Sequence, residues 1–157
     1  AKTLPGHKFR HEIAEKFINS LDMYGSGTGT FLKEKAETLD KYKFQIAIEN
    51  GKYPEYVSEK FFDCLKTKTI PIYFGGEIAL KKMGFDMDGI LAFDNINDLI
   101  YIINEKVSDV YYYSKLQAIE FNRNRLIEIR KESIMQFYLN LVKIRYIGAL
   151  YTGHKYF

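Results

Sequence analysis

The sequence predicts an α/β fold in three layers, with a parallel sheet between helices. Three short apolar runs alternate along the chain with segments of helical periodicity: Phe44–Ile48, Ile70–Phe74 and Ile90–Phe93. The first run is more uniformly apolar than alternating, as expected for a strand that helices cover on both faces. With 157 residues, 46% of them hydrophobic, the chain is long enough to bury one substantial core, so we expect one domain.

The segment before the first strand predicts two helices joined by a loop. Residues 7–22 have the periodicity of an amphipathic helix. Its apolar face comprises Ile13, Phe17, Ile18 and Leu21. Met23–Thr30 is rich in Gly, Ser and Thr and predicts a flexible loop, and Phe31–Tyr42 predicts the second helix.

Between the first two apolar runs, the pattern predicts a helix over Pro54–Lys66. Pro54 then lies near the first helical position, where its missing N–H costs nothing. Val57, Phe61 and Leu65 recur every four residues, so we expect them to face the sheet.

The next apolar run, Ile70–Phe74, contains Pro71, which predicts a strand that starts near a sheet edge or a bulge. The elements predicted after it are a short helix at Glu77–Met83 stopped by Gly84, a strand at Ile90–Phe93, a helix at Ile96–Lys106 capped by Asn95, and helix from Ser108 to roughly Leu150.

The composition excludes several classes of function. A formal net charge of +3, with 27% charged residues of both signs, argues against nucleic acid as the main partner. Charge interrupts the apolar stretches well before about 18 residues, which argues against a transmembrane span. The lone cysteine, Cys64, cannot form an internal disulfide, and one Cys with three His argues against structural zinc. We therefore expect a cytoplasmic protein with at most peripheral membrane contact.

The polar pair Glu49-Asn50 follows directly on the first apolar run. Open α/β sheets bind ligands at the carboxyl edge of their strands, where a carboxylate and an amide can hydrogen-bond to ribose or sugar hydroxyls. Residues of these types also cap ordinary loops, so the sequence alone leaves both interpretations open.

Tyr56, Glu59 and Lys60 lie in the first turns of the predicted helix, on adjoining surface. The amino end of a helix favours an anionic ligand, Lys60 adds a positive charge, and Glu59 can accept from a ribose diol. Arg10, in the first helix, has the planar guanidinium that binds a diphosphate through two oxygens. From spacing alone, a solvated helix face is the commoner explanation for all four.

Other motifs have ordinary explanations. Gly25–Gly29 (GSGTG) lacks the spacing of a phosphate-binding loop, and a lid or linker is the better interpretation. His7, His11 and His154 show no metal-ligand pattern. Cys64 is predicted to lie in the core, and the basic C-terminal helices, interleaved with glutamates, predict a solvated, salt-paired face.

The stretch Tyr42–Gly76 resembles the signature block of the α-1,3-fucosyltransferases, glycosyltransferase family 10. That family shows YKF, an apolar segment ending in FEN, a short variable segment, Y(V/I)(T/S)EK, an apolar helix, (I/V)P(I/V) and a glycine. This chain matches that order with Tyr42-Lys43-Phe44, Glu49-Asn50, Tyr56-Val57-Ser58-Glu59-Lys60, Ile70-Pro71-Ile72 and Gly75-Gly76. The resemblance covers roughly residues 7–105.

The resemblance implies half of a GT-B enzyme, in which two Rossmann-like halves enclose a cleft and the C-terminal half binds the donor, GDP-β-L-fucose. Residues 1–106 would form this donor-binding domain, and residues 107–157 would form a helical extension packed on it. The implied reaction transfers L-fucose, with inversion, to a hydroxyl of an N-acetylglucosamine or glucose unit in a glycan.

The resemblance also implies roles for the candidate residues. Lys60 and Arg10 would bind the diphosphate and stabilise the charge that builds on it as the sugar–phosphate bond breaks. Glu59 would accept from the ribose hydroxyls, and Glu49 would face the fucose. Because fixed cations can stabilise this leaving group, we expect no obligatory metal or other cofactor. The nucleotide or fucose pocket would be lined by Tyr56 and Asn50.

Two features depart from the family pattern. Ile48 stands where the family has an aromatic residue before the glutamate, which changes the shape of the pocket wall. The general base that takes the acceptor proton belongs, in the family, to the N-terminal half, for which this chain has no room. We therefore expect a donor half that needs an acceptor half from a missing segment or a partner chain.

Two alternatives from other functional classes stay open. The chain is also consistent with a nucleotide-sugar binding domain that has no turnover on its own. A further alternative is an interaction domain whose basic helices contact a glycan or membrane surface.

Overall fold

The computed structural model describes residues 5–24 and 40–152, with side chains described as far as residue 136 except for residue 134. Strands β1 (Phe44–Ile48), β2 (Ile70–Phe74) and β3 (Leu91–Ala92) form a parallel sheet in the order β1-β2-β3. The helices are α1 (Pro5–Lys16), α2 (Glu59–Lys66), α3 (Glu77–Lys82), α4 (Ile96–Glu105), α5 (Asp109–Ser114) and α6 (Leu116–Thr152), with a 3-10 turn at Met87–Gly89. The predicted α/β fold with a parallel sheet is confirmed.

Helices cover both faces of the sheet. Successive side chains of β2 point to opposite faces, and each face packs against a different set of helices. Ile72 belongs to a buried cluster with Ile13 of α1 and Leu99 of α4. Tyr73, on the other face, packs edge-on against Phe61 of α2, with ring centroids 5.1 Å apart. This arrangement gives the three predicted layers.

The chain divides into two compact units, Ala1–Arg123 and Asn124–Phe157. The first unit contains the whole sheet, and the second contains most of the length of α6. The predicted boundary at residue 106 and the predicted packing of the C-terminal extension stay predictions. Most of the predicted loop at Met23–Thr30 and of the predicted helix at Phe31–Tyr42 lies outside the described residues.

The predicted start of the helix after β1 is wrong. Helix α2 begins at Glu59, because Ser58 adopts an extended backbone and its hydroxyl accepts from the Lys60 N–H, as an N-cap does. Pro54 instead lies in a turn, where its carbonyl accepts from the Ala79 N–H of α3 at 2.9 Å. Tyr56 is therefore part of the connecting segment and not of the helix.

Two further expectations need correction. The first helix ends at Lys16 instead of residue 22, and Ile18 is 67% exposed. Pro71 lies in the central strand and not at an edge. Successive backbone N–H groups of a strand point to opposite sides. The Ile70 N–H donates to the Lys43 carbonyl on the side of β1, so the Pro71 nitrogen faces β3. Pairing with β3 begins only at Ile72, so no ladder bond is lost.

Several other predictions agree with the structure. Strands β1 and β2 have the predicted bounds, and β3 lies within its predicted run. Phe61 and Leu65 are buried as expected for residues that face the sheet, whereas Val57 precedes α2 and is only half-buried. Asn95 caps α4, since its side chain accepts from the N–H groups of Asn97 and Asp98.

Candidate functional site

The candidate residues lie around the carboxyl end of β1. The ladder between β1 and β2 continues past Ile48, because the Glu49 N–H donates to the carbonyl of Phe74 at 2.9 Å. The chain then passes through a short loop to the N-cap of α2 at Ser58. Open α/β sheets bind their ligands at this edge.

Helix α1 reaches the same strand end. Arg10 donates through Nη2 to the carbonyl oxygen of Ile48 at 2.8 Å and to Oδ1 of Asn50 at 3.3 Å. The Gly6 N–H donates to the carbonyl of Asn50 at 3.0 Å. A Cβ at Gly6 would lie 2.0 Å from the carbonyl oxygen of Glu49, so this close approach requires a glycine. The structure thus brings two predicted site residues, Arg10 and Asn50, into contact.

Glu49 lies fully buried beneath the loop. Its Oε1 accepts from the Ser58 N–H at 2.8 Å and from the Tyr73 hydroxyl at 3.3 Å. Its Oε2 accepts from the Ser58 hydroxyl at 2.7 Å and lies 3.7 Å from the ammonium nitrogen of Lys60. The predicted contact between Glu49 and a bound fucose stays a prediction.

Lys60 connects this buried network to the surface. Its Nζ donates to the Ser58 hydroxyl at 3.1 Å and to Oε1 of Glu59 at 3.2 Å. The Lys60 side chain is 27% exposed and that of Glu59 is 62% exposed, so both can meet a solute. Glu49, Glu59 and Lys60 therefore form the second group of predicted site residues that the fold brings together.

Tyr56 is held at the same edge by its backbone. Its N–H donates to the carbonyl of Tyr53 at 3.1 Å, and the two rings meet edge to face. A Cβ at Gly76 would lie 2.5 Å from the Tyr56 carbonyl oxygen, so the turn packs tightly on the start of α3. Tyr56 is 44% exposed and precedes α2, so it does not lie on the helix face that the sequence predicted for it.

Sequence reasoning missed Ser58 and Tyr73 as members of the network. A serine directly before an acidic residue and a lysine is an N-cap signal, and it could have identified Ser58. Burial, and then the charge of Glu49, raise the pKa of Tyr73 well above its ordinary value, so its hydroxyl stays protonated and donates.

A third missed residue is Lys52, which follows β1 and lies close to acidic residues that follow the other two strands. Its Nζ forms an ion pair with Asp94, after β3, and lies 3.8 Å from Oε1 of Glu77, after β2. These are partly exposed contacts, and each is expected to contribute about 0–1 kcal/mol to stability. They hold the carboxyl ends of the strands together without forming a buried site.

In the described part of the chain, no group of three or more His, Cys, Asp or Glu side chains is arranged to hold a metal ion. No helix in that part is long and apolar enough to cross a membrane. Cys64 is buried as predicted, and burial raises the pKa of its thiol to about 12.

Comparison with known proteins gives a consistent result. Residues 6–116 match the family model described as glycosyltransferase family 10 (fucosyltransferase) C-term. The chain is 33% identical to Alpha-(1,3)-fucosyltransferase B of Drosophila melanogaster over 95 residues, which are 59% of this chain and 21% of that protein. It is 28% identical to Alpha-(1,3)-fucosyltransferase FucT of Helicobacter pylori over 139 residues, which are 80% of this chain and 29% of that protein.

A third relative, Alpha-(1,3)-fucosyltransferase fut-5 of Caenorhabditis elegans, is 30% identical over 126 residues, which are 68% of this chain and 32% of that protein. The matched region is thus less than a third of the length of each of these relatives. No solved structure matches the chain significantly.

Proposed function

This chain belongs to the glycosyltransferase family 10 fucosyltransferases, and from that premise we propose that it is a donor domain that binds GDP-fucose and serves an inverting fucosyl transfer to a glycan hydroxyl. The observation that supports this most strongly is the position of the two cations. Arg10 and Lys60 both contact residues of the segment Ile48–Asn50, although one comes from α1 and the other from α2.

The proposed chemistry needs a stabilised leaving group. As the bond between fucose and phosphate breaks, negative charge grows on the diphosphate of GDP. A guanidinium and an ammonium that protein acceptors already hold in place can stabilise this charge with little reorganisation, which lowers the barrier. In this proposal Arg10 and Lys60 supply that stabilisation, and no divalent cation is needed.

The other site residues bind the rest of the nucleotide sugar in this proposal. Glu59, exposed at the first turn of α2, accepts from the ribose hydroxyls. Asn50 and Tyr56 line the pocket on either side of the loop. The residues that bind the acceptor glycan and take its proton belong to an N-terminal half or to a partner chain.

A donor-binding domain with no turnover on its own is a second candidate. The observation that favours it is that the family match is to the C-terminal region alone. The two candidates differ in one respect, namely whether this chain transfers fucose without another segment.

Calorimetric titration tests both candidates. The 157-residue chain is titrated with GDP-fucose, GDP-mannose and UDP-glucose, with and without EDTA. We expect binding of the GDP sugars, tightest for GDP-fucose and unchanged by EDTA, and no binding of UDP-glucose. Equal binding of all three sugars, or of none, would contradict the proposal. Release of GDP on adding an acceptor glycan would then favour catalysis by this chain over binding alone.

A further inference from the structure

Lys60 lies near the surface but forms an ion pair with a buried carboxylate. Its side chain is 27% exposed, yet the carboxylate 3.7 Å from its Nζ belongs to Glu49, which is fully buried. Most surface lysines pair with exposed carboxylates, and those pairs are weakly ordered because water competes for both charges. A buried carboxylate cannot turn towards solvent, so its position is fixed by the fold.

Ser58 links the two charges, and its hydroxyl is fully used. The single hydroxyl hydrogen is donated to Oε2 of Glu49 at 2.7 Å. The two lone pairs of the same oxygen accept from the Lys60 N–H at 3.4 Å and from Lys60 Nζ at 3.1 Å. One hydroxyl thus caps α2, holds the Lys60 ammonium and satisfies the carboxylate.

Tyr73 completes the network from β2. Its ring is fully buried between the sheet and α2, and its hydroxyl donates to Oε1 of Glu49 at 3.3 Å. With Ser58 N–H and Oγ–H, it gives the carboxylate three hydrogen bonds in addition to the nearby ammonium. Every hydrogen bond to the side chain comes from a donor, so both carboxylate oxygens act as acceptors.

We infer that Glu49, Ser58 and Tyr73 are positioning residues that hold the Lys60 ammonium at the carboxyl end of β1, in the place where it meets the donor diphosphate. This inference rests on the proposed function for the identity of the ligand. Glu49 would then affect ligand binding without touching the ligand, because it holds Lys60 in place from within the core.

Replacement of Glu49 by glutamine tests the mechanism. An amide of the same shape offers one acceptor oxygen, and its N–H₂ group would face donors from Ser58 or Tyr73. The ordering of Lys60 Nζ can be followed by ¹⁵N relaxation of the lysine ammonium groups. Lys82 is the internal reference, since it pairs with Glu55 at the surface and the two side chains are 64% and 70% exposed.

We expect the Lys60 ammonium to be more ordered than that of Lys82 in the parent chain. In Glu49→Gln and Ser58→Ala its order should fall to the level of Lys82. Ser58→Thr keeps the hydroxyl and should retain the order. An unchanged Lys60 ammonium in Glu49→Gln would overturn the inference. If Glu49→Gln does not fold, Tyr73→Phe gives the same test, with Tyr112→Phe as its control because that hydroxyl bonds to the carbonyl of Lys68.

A double-mutant cycle on GDP affinity separates positioning from a general loss of structure. We expect Glu49→Gln to weaken GDP binding roughly tenfold in the parent, as one charged hydrogen bond is misplaced. In a Lys60→Ala background the same change should have no further effect. An equal loss in both backgrounds would mean that Glu49 acts only through the fold, and would overturn the inference.

Together, the mutant cycle and the relaxation measurement distinguish a failure of the proposed function from a failure of the inference. If the parent chain does not bind GDP while Lys60 order still depends on Glu49, the proposed function is wrong and the positioning of Lys60 stands. If GDP binds and Lys60→Ala weakens it, but Glu49→Gln changes neither affinity nor order, the proposed function stands and the inference is wrong.

Discussion

Charged residues behave differently at the carboxyl end of β1 and on the exposed face of α6. At the strand end, Arg10 and Lys60 contact residues distant in the chain or buried in the core. On α6, Arg125 pairs with Glu128 at 3.1 Å, one helical turn away, and the Glu128 side chain is 61% exposed. In the sequence, both regions have the pattern of a solvated helix face that carries basic residues. Burial of the partner distinguishes a site that holds a cation from an ordinary solvated face.

The largest expected effect comes from removing the cations at the strand end. With the acceptor half that the proposed function calls for, Lys60→Ala and Arg10→Ala should each lower the rate of fucosyl transfer by about a hundredfold, by analogy with the loss of one oxyanion donor. GDP affinity measured by calorimetry should fall in both variants. Lys66→Ala and Arg125→Ala are the matched controls, and a comparable loss in either control would remove the distinction between the two regions.

The next largest effect concerns stability. Glu49→Ala leaves the Ser58 N–H, the Tyr73 hydroxyl and the Lys60 ammonium without their acceptor, and should lower the free energy of unfolding by about 2–4 kcal/mol. Glu128→Ala, which removes an exposed carboxylate of α6, should lower it by less than about 1 kcal/mol. Urea unfolding measures both values. Equal losses would show that burial does not separate the two regions.

The close approach of α1 gives a third test. Gly6→Ala places a Cβ 2.0 Å from the Glu49 carbonyl oxygen, so α1 must shift or the strand end must move. Overpacking of this kind is expected to cost about 1–3 kcal/mol. Because Arg10 lies in the same helix, GDP affinity should fall as well. Ala14→Gly, on a half-buried position of α1, is the control for a loss of helix stability alone.

The smallest expected effect is the pH dependence from Cys64. Burial raises the pKa of this thiol from 9.0 to about 12, so the folded state keeps a proton that the unfolded chain loses. The contribution to stability is complete below about pH 9 and is lost as the pH rises towards 12. Cys64→Ala should flatten the decline in unfolding free energy above pH 9. A thiol reagent should label Cys64 only after unfolding; rapid labelling of the folded chain would contradict its burial.

The strands were predictable because burial on both faces leaves a strong local signal. Apolar runs bounded by polar residues fixed the limits of β1 and β2, and Asn95 marked the start of α4. The start of α2 was not predicted, since Pro54 fits the first position of a helix as well as it fits a turn. The Ser58 N-cap and the bond from the Ala79 N–H to the Pro54 carbonyl, made across the fold, place Pro54 in the turn.

The site shows the same division between local and long-range information. The order of strand, loop and helix is enough to place Glu49 and Asn50 just after the strand, and Glu59 and Lys60 near the start of the helix. That order does not predict the burial of Glu49, because a glutamate at a strand end normally reaches solvent. Glu49 is buried here because Tyr73 and Ser58 supply donors, and Tyr73 belongs to another strand. The contact of Arg10 with Ile48 likewise joins residues that are far apart in the chain.

A crystal structure of the chain with GDP bound would test the central claim most directly. The account predicts that the Arg10 guanidinium and the Lys60 ammonium both lie within hydrogen-bonding distance of diphosphate oxygens, with Glu49 still buried behind Lys60. A nucleotide that binds away from the carboxyl end of β1, or that contacts neither cation, would contradict it.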